Sequence, residues 1–314
     1  MRHLLANHAF VRFWLAGLFV VLSTWMLFIT MQVMVFDLTG SPFATGLILV
    51  YTALPGVLLG PLAGVLVDRW DRKQVMALGA LALAGLLLVA LPLARDVSVV
   101  TLYAIILVQA TIMAFYTPAE NALLPSLVRE EDLGPANAFN AMNDNFGNII
   151  GPSVGAFLYV QVGFTATLAV CAILFLIGWA VIASIPGTGR MDVASQAPTD
   201  VPIELRETVG SVLRDLRLGL QAVRARKVLL VAVAAFGLYT VADVPLTAVL
   251  PAFVGDSLNV GPEAFGTMMT IRGLTGLLGG LVIAAVSRRM HEATLLTFGL
   301  FVYGGSIATW GVIN

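Results

Sequence analysis

The stretch GPLAGVLVDRWDRK, residues 60–73, decides the fold of this chain. One apolar run ends here in a turn of acidic and basic residues, and a second apolar run begins directly afterwards. Gly60 and Gly64 lie four residues apart on one helix face, where small residues allow close contact between helices. Asp68 ends the first run, where its carboxylate can meet a helix N-terminus or a basic side chain. The stretch therefore predicts two helices joined by a short charged loop.

The composition of the whole chain is that of a membrane protein. Of its 314 residues, 59% are hydrophobic and 11% are charged, against about 25% charged residues in soluble domains. The mean hydropathy is +0.94, and the apolar residues fall in long runs, which indicates several membrane spans. The first run is long and lacks a cleavage site, so we expect a span rather than a signal peptide. Cys171 is the one cysteine, which excludes an intrachain disulfide.

Runs of about 20 apolar residues predict nine spans. A polar stretch separates the first six spans from the last three, and its second part, 204–227, has leucines and valines at the spacing of an amphipathic surface helix. We therefore expect a six-helix N-terminal half over 1–186, a cytoplasmic linker with an amphipathic helix over 187–227, and three further helices over 228–314. The predicted spans are 10–36, 43–67, 73–94, 98–121, 136–160, 164–185, 228–254, 263–286 and 292–313.

The basic residues predict the orientation of these spans. With the N-terminus in the cytoplasm, fifteen of the 17 Lys and Arg residues fall on the cytoplasmic side. The other two are Arg95, on the outer side, and Arg272, within a span. Cytoplasmic loops of membrane proteins are enriched in Lys and Arg. We therefore expect a multi-pass protein of the inner (plasma) membrane with a cytoplasmic N-terminus.

The second and eighth spans also match each other at an offset of 220 residues. Pro42 corresponds to Pro262, and Arg69 corresponds to Arg289, with glycines aligned between them. Two parallel six-span repeats joined by a long cytoplasmic linker are a known transporter layout. This layout predicts twelve spans, so the last three are expected to be missing from this sequence.

Residues 60–73 resemble the signature G-x-x-x-D-R-x-G-R-R/K of the major facilitator superfamily, with Asp71 in place of the usual glycine. The resemblance implies the all-α major facilitator fold and a loop that latches the two halves together on the inner side. The alternative is an ordinary basic loop. The residues of this candidate gating motif are Gly60, Gly64, Asp68, Arg69, Asp71, Arg72 and Lys73.

A second resemblance covers residues 115–125, 136–138 and 147–156. These segments are similar to the subfamily of the enterobactin exporter and the macrolide-efflux-like proteins. The last segment resembles the antiporter signature G-x-x-x-G-P-x-x-G-G, with Ala156 replacing the final glycine. The resemblance implies export, and the glycine stripe is expected to rock against a partner helix in the other half. Tight packing alone is the alternative. The motif residues are Gly147, Gly151, Pro152 and Gly155.

The fourth span departs from the related drug–proton antiporters, which have an arginine there. Residues 106–111 contain Gln109 and no arginine. The departure puts proton coupling through such an arginine in doubt.

Several polar residues fall within predicted spans, where an unpaired charge costs at least about 2.5–3.5 kcal/mol. Asp144 is expected to share the glycine face of the fifth span, or to line a watery vestibule. Asp243 and Arg272 have similar predicted depths and are expected to form a pair, either for coupling or for structure. The candidates for substrate binding or coupling are Gln32, Gln109, Asp144, Asn148, Asp243 and Arg272.

The sequence contains no catalytic constellation, no metal-binding spacing and no phosphate-binding glycine loop. We therefore expect no enzyme activity, no cofactor and no nucleic-acid partner. The function expected is secondary active export of a small amphipathic organic molecule by alternating access, driven by protons or another coupling ion across the lipid bilayer. An importer or uniporter of the same fold and a non-transporting membrane scaffold are the alternatives.

Overall fold

The computed structural model is built of α-helices, and the residues that it describes contain no strand. The chain divides into two compact units, Met1–Val201 with Ala248–Gly273, and Pro202–Thr247 with Leu274–Asn314. Each unit is taken by itself below. The described residues are 2–186, 224, 230–231, 233–235, 237–239, 267–268, 271, 275, 278–279, 282 and 292–310.

The helices follow one another with short connections. A 3₁₀ helix, Leu91–Arg95, prolongs the fourth helix, and another, Glu130–Asp132, precedes the sixth. The α-helices are α1 Arg2–Ala6, α2 His8–Thr39, α3 Pro42–Arg69, α4 Arg72–Ala90, α5 Val99–Leu127, α6 Leu133–Ala183 and α7 Glu292–Trp310.

Polar side chains begin the long helices of the first unit. Asn7, Ser41, Asp71 and Ser98 each accept a hydrogen bond from a main-chain N–H in the first turn of α2, α3, α4 and α5 respectively. Such a cap satisfies a donor that has no partner within the helix. Gly40 ends α2 with a φ of 58° and donates its N–H to the carbonyl oxygen of Phe36. The left-handed conformation at this position favours glycine.

The sixth helix is long enough for two membrane crossings. Its hydrogen bonding continues over 51 residues, but Gly163 has a non-helical conformation with φ 82° and ψ 171°. A residue with a side chain is strained at this φ, so glycine permits the break. We name the segment before it, 133–162, α6a and the segment after it, 164–183, α6b.

The first six predicted spans are confirmed. They correspond to α2, α3, α4 with its 3₁₀ extension, α5, α6a and α6b. The largest difference is at the end of α5, which continues to Leu127, beyond the predicted end at 121. Among the described residues, five helices are long and apolar enough to cross a membrane, and the fifth, Glu130–Ala183, contains both α6a and α6b. The predicted break at 161–163 is also confirmed.

Helix α2 lies against both parts of α6, and these helices share the most extensive contact in the first unit. Phe10, Phe13, Val20 and Met26 of α2 are buried in the core. A Cβ atom built on Gly178 of α6b would lie only 2.9 Å from Cγ2 of Val20. The other large contacts join α3 to α5 and α4 to both α5 and α6. The first six helices thus form one closely packed bundle.

In the second unit, α7 corresponds to the ninth predicted span. The ring of its Tyr303 lies 4.9 Å from the ring of Tyr239, measured between centroids. The predicted amphipathic helix is described only at Arg224, and the second members of the predicted repeat lie outside the described residues. The three-part division of the chain stays a prediction.

Candidate functional site

The loop between α3 and α4 is fixed by Asp71. Its side chain caps α4 by accepting a hydrogen bond from the N–H of Gln74, at 3.1 Å. We expected Asp68 to meet either a helix N-terminus or a basic side chain; the helix N-terminus is capped by Asp71 instead. The replacement of the signature glycine by an acid therefore supplies a cap that glycine would lack.

Two basic residues of the same loop tie α4 to its neighbours. Arg72 donates a hydrogen bond to the carbonyl oxygen of Ala122 in α5, at 3.0 Å. Lys73 donates to the carbonyl oxygen of Ile185, just beyond α6b. A cation near the carboxyl end of a helix interacts favourably with the helix dipole. Arg72 and Lys73 therefore fasten the loop to the N-terminal bundle.

Asp68 faces outward from this loop. Its side chain is 71% exposed, and its carboxylate lies 3.9 Å from the guanidinium of Arg72, which is at the outer limit for an ion pair. The neighbouring Trp70 stacks on Phe115 of α5, with ring centroids 6.4 Å apart. Asp68 is thus available to a changing partner, whereas the residues after it are held in place.

Gly60 and Gly64 differ from expectation. We expected close helix contact along this face of α3, yet no atom of the described residues lies within 4 Å of a Cβ atom built on either glycine. The long exposed face of α3 explains the difference, because Val57 and Leu58 beside these glycines are also exposed. Within the described residues, this face of α3 has no helix packed against it.

The glycine stripe of α6a packs tightly on α2. A Cβ atom on Gly147, Gly151 or Gly155 would lie 2.4 Å from Cγ1 of Val21, 2.6 Å from Cβ of Trp25 and 2.8 Å from the carbonyl oxygen of Met26, respectively. These distances are shorter than real Cβ contacts, so the glycines set the separation of the two helices. Pro152 is buried on the same helix.

This contact corrects the expected partner of the stripe. We expected the glycines to face a helix of the other half, but they face α2 of their own half. The physical reason is the extensive contact between α2 and α6. The missing Cβ atoms of all three glycines would point towards α2 in this contact.

The two candidate glutamines are buried in apolar helices. Gln32 of α2 is 0% exposed, and neither its amide nitrogen nor its amide oxygen has a hydrogen-bond partner among the described residues. Gln109 of α5 is also buried. An unpartnered buried amide is costly, which makes it a natural site for a ligand's polar group.

Asp144 and Asn148 lie outside the tight contact with α2, because both are exposed. Helical spacing still places Asp144 on the side of Gly151 and Asn148 on the side of Gly155, since residues seven apart return to nearly the same direction. The expected common face with the glycines stays a prediction. The watery alternative weighed for Asp144 fits its exposure better than a place in the helix contact.

Asp243 and Arg272 lie outside the described residues. Their pairing stays a prediction.

The turn between α5 and α6 is closed by an ion pair. Arg129 donates to Oδ2 of Asp132 from Nε at 3.0 Å and from Nη2 at 2.8 Å, and it also contacts Glu131. The hydrogen bonds that Arg129 donates to Asp132, and then the negative charges of Asp132 and Glu131, raise the pKa of Arg129. The arginine is therefore held as a cation in this turn.

The sequence analysis missed a buried acid, Glu120 of α5, which is 8% exposed. A Cβ atom on Gly17 of α2 would lie 2.8 Å from Oε1 of Glu120, 3.0 Å from Nδ2 of Asn143 and 4.0 Å from Oδ1 of Asn140. Nδ2 of Asn143 donates to the carbonyl oxygen of Trp14. The available signal was an acid inside an apolar run, placed two residues after Pro118.

The helical fold and the loop between α3 and α4 together indicate the class of protein. The sequence model of the Major Facilitator Superfamily matches residues 13–314, and the chain belongs to that superfamily. It is a multi-pass membrane protein with the major facilitator fold.

Curated relatives give the comparison more detail. The chain is 29% identical over 283 residues to "Macrolide efflux protein A" of Streptococcus pyogenes, covering 88% of this chain and 66% of that protein. A protein of the same name from Enterococcus faecalis is 29% identical over 268 residues, covering 83% and 78%. The "Uncharacterized MFS-type transporter YkuC" of Bacillus subtilis is 24% identical over 313 residues, covering 98% and 71%. The chain thus spans 66% of the length of the first relative.

Proposed function

We propose that this protein exports a small amphipathic organic molecule by alternating access, driven by an ion gradient. The observation that carries the proposal is the tight contact of α6a with α2 along Gly147, Gly151 and Gly155. These residues form the antiporter-like signature, and their packing makes α2 and α6a one close unit. A pair held this closely moves as one body, as alternating access requires of each half.

The names of the relatives support the direction and the substrate class. Two of them are described as macrolide efflux proteins. Macrolides are therefore the first substrates to test for this chain. The buried, unpartnered Gln32 and the buried Gln109 supply polar groups among apolar helices, which suits an amphipathic ligand.

The remaining site residues take roles in the same proposal. Asp68 is the switching residue of the gating loop, because its carboxylate is exposed while Arg72 and Lys73 are fastened to the bundle. Asp144 and Asn148 are candidates for contacts with water, substrate or ion, and Asp243 and Arg272 are candidates for coupling. The protein is placed in the inner (plasma) membrane with its N-terminus in the cytoplasm, on the basis of its basic residues.

Everted membrane vesicles test this proposal. Vesicles that contain the protein should accumulate a radiolabelled macrolide when respiration makes their interior acidic, and intact cells should retain less of it than cells lacking the protein. Vesicles without the protein and vesicles treated with ionophores are the controls.

The outcomes separate the alternatives. Accumulation in whole cells but not in everted vesicles would indicate an importer. Equilibration that does not respond to ionophores would indicate a uniporter. No movement of a panel of amphipathic compounds under any imposed gradient would favour the non-transporting scaffold.

A further inference from the structure

Glu120 is a buried acid within a membrane helix. It lies seven residues before the end of α5 at Leu127, which is roughly 10 Å along the helix axis. Its exposed fraction is 8%. A carboxylate at such a place is unfavourable unless a cation or several donors compensate its charge. The cations and hydrogen-bond donors around Glu120 therefore decide whether the buried group is a carboxylate or a neutral carboxylic acid.

The charged and titratable groups nearby do not supply a cation. Asp144 of α6a has the same sign of charge as Glu120 and Tyr116 of α5 is an uncharged phenol, so neither is a counter-ion for a carboxylate. On the other packed helices, Arg72 of α4 and Arg12 of α2 donate to main-chain carbonyl oxygens. Among residues 2–186, no recorded salt bridge includes Glu120.

The uncharged neighbours have buried oxygen atoms that lack a hydrogen-bond partner among the described residues. Asn143 is 1% exposed and its Oδ1 has no partner, and Oδ1 of Asn140 and the hydroxyl of Tyr116 are likewise buried without one. Side-chain atoms of Asn140, Asn143 and Glu120 all lie within 4.0 Å of a Cβ atom built on Gly17, so the three side chains are close together. A protonated carboxyl group can donate the hydrogen bond that an amide oxygen there needs, whereas a carboxylate adds only another acceptor.

We propose that Glu120 is the proton-binding site of this transporter, with Asn140 and Asn143 as the amides that receive its O–H hydrogen bond. This inference rests on the proposed export function and names the coupling ion. In the conformation described here Glu120 is a neutral acid. When the cluster opens to water, the O–H bond breaks, the proton passes to water and the electron pair stays on the carboxylate. Rebinding of a proton restores the acid, and no electron is transferred.

Infrared difference spectroscopy tests the protonation directly, without any substrate. Purified wild-type protein should show the carbonyl stretch of a buried carboxylic acid at neutral pH. Glu120→Gln should lose this band, because the amide is nearly the same size but has no acid. Glu130→Gln, which removes an exposed carboxyl in the turn after α5, should keep it. Absence of the band from the wild type, or its persistence in Glu120→Gln, overturns the proposal.

Transport by the same variants tests the coupling. In everted vesicles, Glu120→Gln should lose pH-driven accumulation of the radiolabelled macrolide to the background of vesicles without the protein. It should keep macrolide exchange at equal pH on both sides, because exchange needs no net proton movement. Full pH-driven accumulation by Glu120→Gln, or accumulation by the wild type that follows a sodium gradient and ignores pH, overturns the proposal. A wild type that transports nothing refutes the proposed function, while the infrared result still decides the protonation.

Glu120→Asp provides a second test in case the amide variant does not fold. Should Glu120→Gln fail to reach the membrane, Glu120→Asp keeps an acid in a shifted position. Its infrared band must then differ in frequency from that of the wild type. An unchanged band would assign the signal to another carboxyl group and overturn the proposal.

Discussion

Among the glycines of α6a, Gly155 lies closest to the backbone of α2. We therefore predict that one methyl group added at this position lowers the stability of the protein measurably. In Gly155→Ala the new Cβ atom would lie 2.8 Å from the carbonyl oxygen and 3.0 Å from Cα of Met26. Ordinary contact begins at 3.4 Å, so the first distance must grow by 0.6 Å. The obstacle is main chain, which cannot turn aside as a flexible side chain can, so the two helices must separate.

The magnitude follows from two opposing effects. Overpacking of a well-packed contact typically costs about 1–3 kcal/mol, while alanine is favoured over glycine inside a helix by about 0.5–1 kcal/mol. Gly85→Ala isolates the second effect, because no atom of the described part of the chain lies within 4 Å of a Cβ atom at this position in α4. We expect Gly155→Ala to be less stable than Gly85→Ala by the full overpacking term of about 1–3 kcal/mol.

The assay is the temperature at which detergent-solubilised protein loses its monodisperse chromatographic peak. One kcal/mol corresponds to roughly 2–4 °C for a chain of about 150–250 residues, so the two variants should differ by several degrees. Equal transition temperatures for Gly155→Ala and Gly85→Ala would refute the reasoning, since the contact would then yield at no cost.

Three further results are expected. Asp71→Ala should destabilise the protein by about 0.5–2 kcal/mol through loss of the α4 cap, whereas Asp71→Asn should be near wild type in the same thermal assay; equal losses in both would mean that the cap contributes nothing. Cysteine at position 96 should be labelled from outside intact cells and cysteine at position 129 should not, and the reverse result would invert the topology. Asp68→Asn should impair macrolide transport at normal expression, because it removes a charge from an exposed side chain without disturbing packing; wild-type transport would exclude a switching role.

The helices of the first unit were predictable because their signals are local. Length and hydropathy located α2 to α6b, and residues such as Ser41 and Gly40 mark helix ends through their own side-chain or backbone chemistry. The break at Gly163 was also visible, since a glycine between two apolar runs is a typical turn signal. None of these features depends on how the helices pack against one another.

The partners of each face were not predictable in the same way. The spacing of Gly147 and Gly151 predicts a smooth face, but not that the face meets Val21 and Trp25 of α2. Likewise Gly60 has the same small-residue spacing with Gly64, and its face is open among the described residues. A pattern along one helix cannot distinguish these two situations, because the difference lies in the neighbouring helix.

The gating loop shows how a departure from a signature can be read once the partners are known. Replacement of the usual glycine by Asp71 looked like a weakened match, yet its carboxylate caps α4. Arg72 and Lys73 then bind carbonyl oxygens of the same bundle, so these three residues fasten the loop to one half. Asp68 keeps an exposed carboxylate at 3.9 Å from Arg72. Substitutions after position 70 should therefore act mainly through stability, whereas a substitution at Asp68 should act mainly through the equilibrium between transport states.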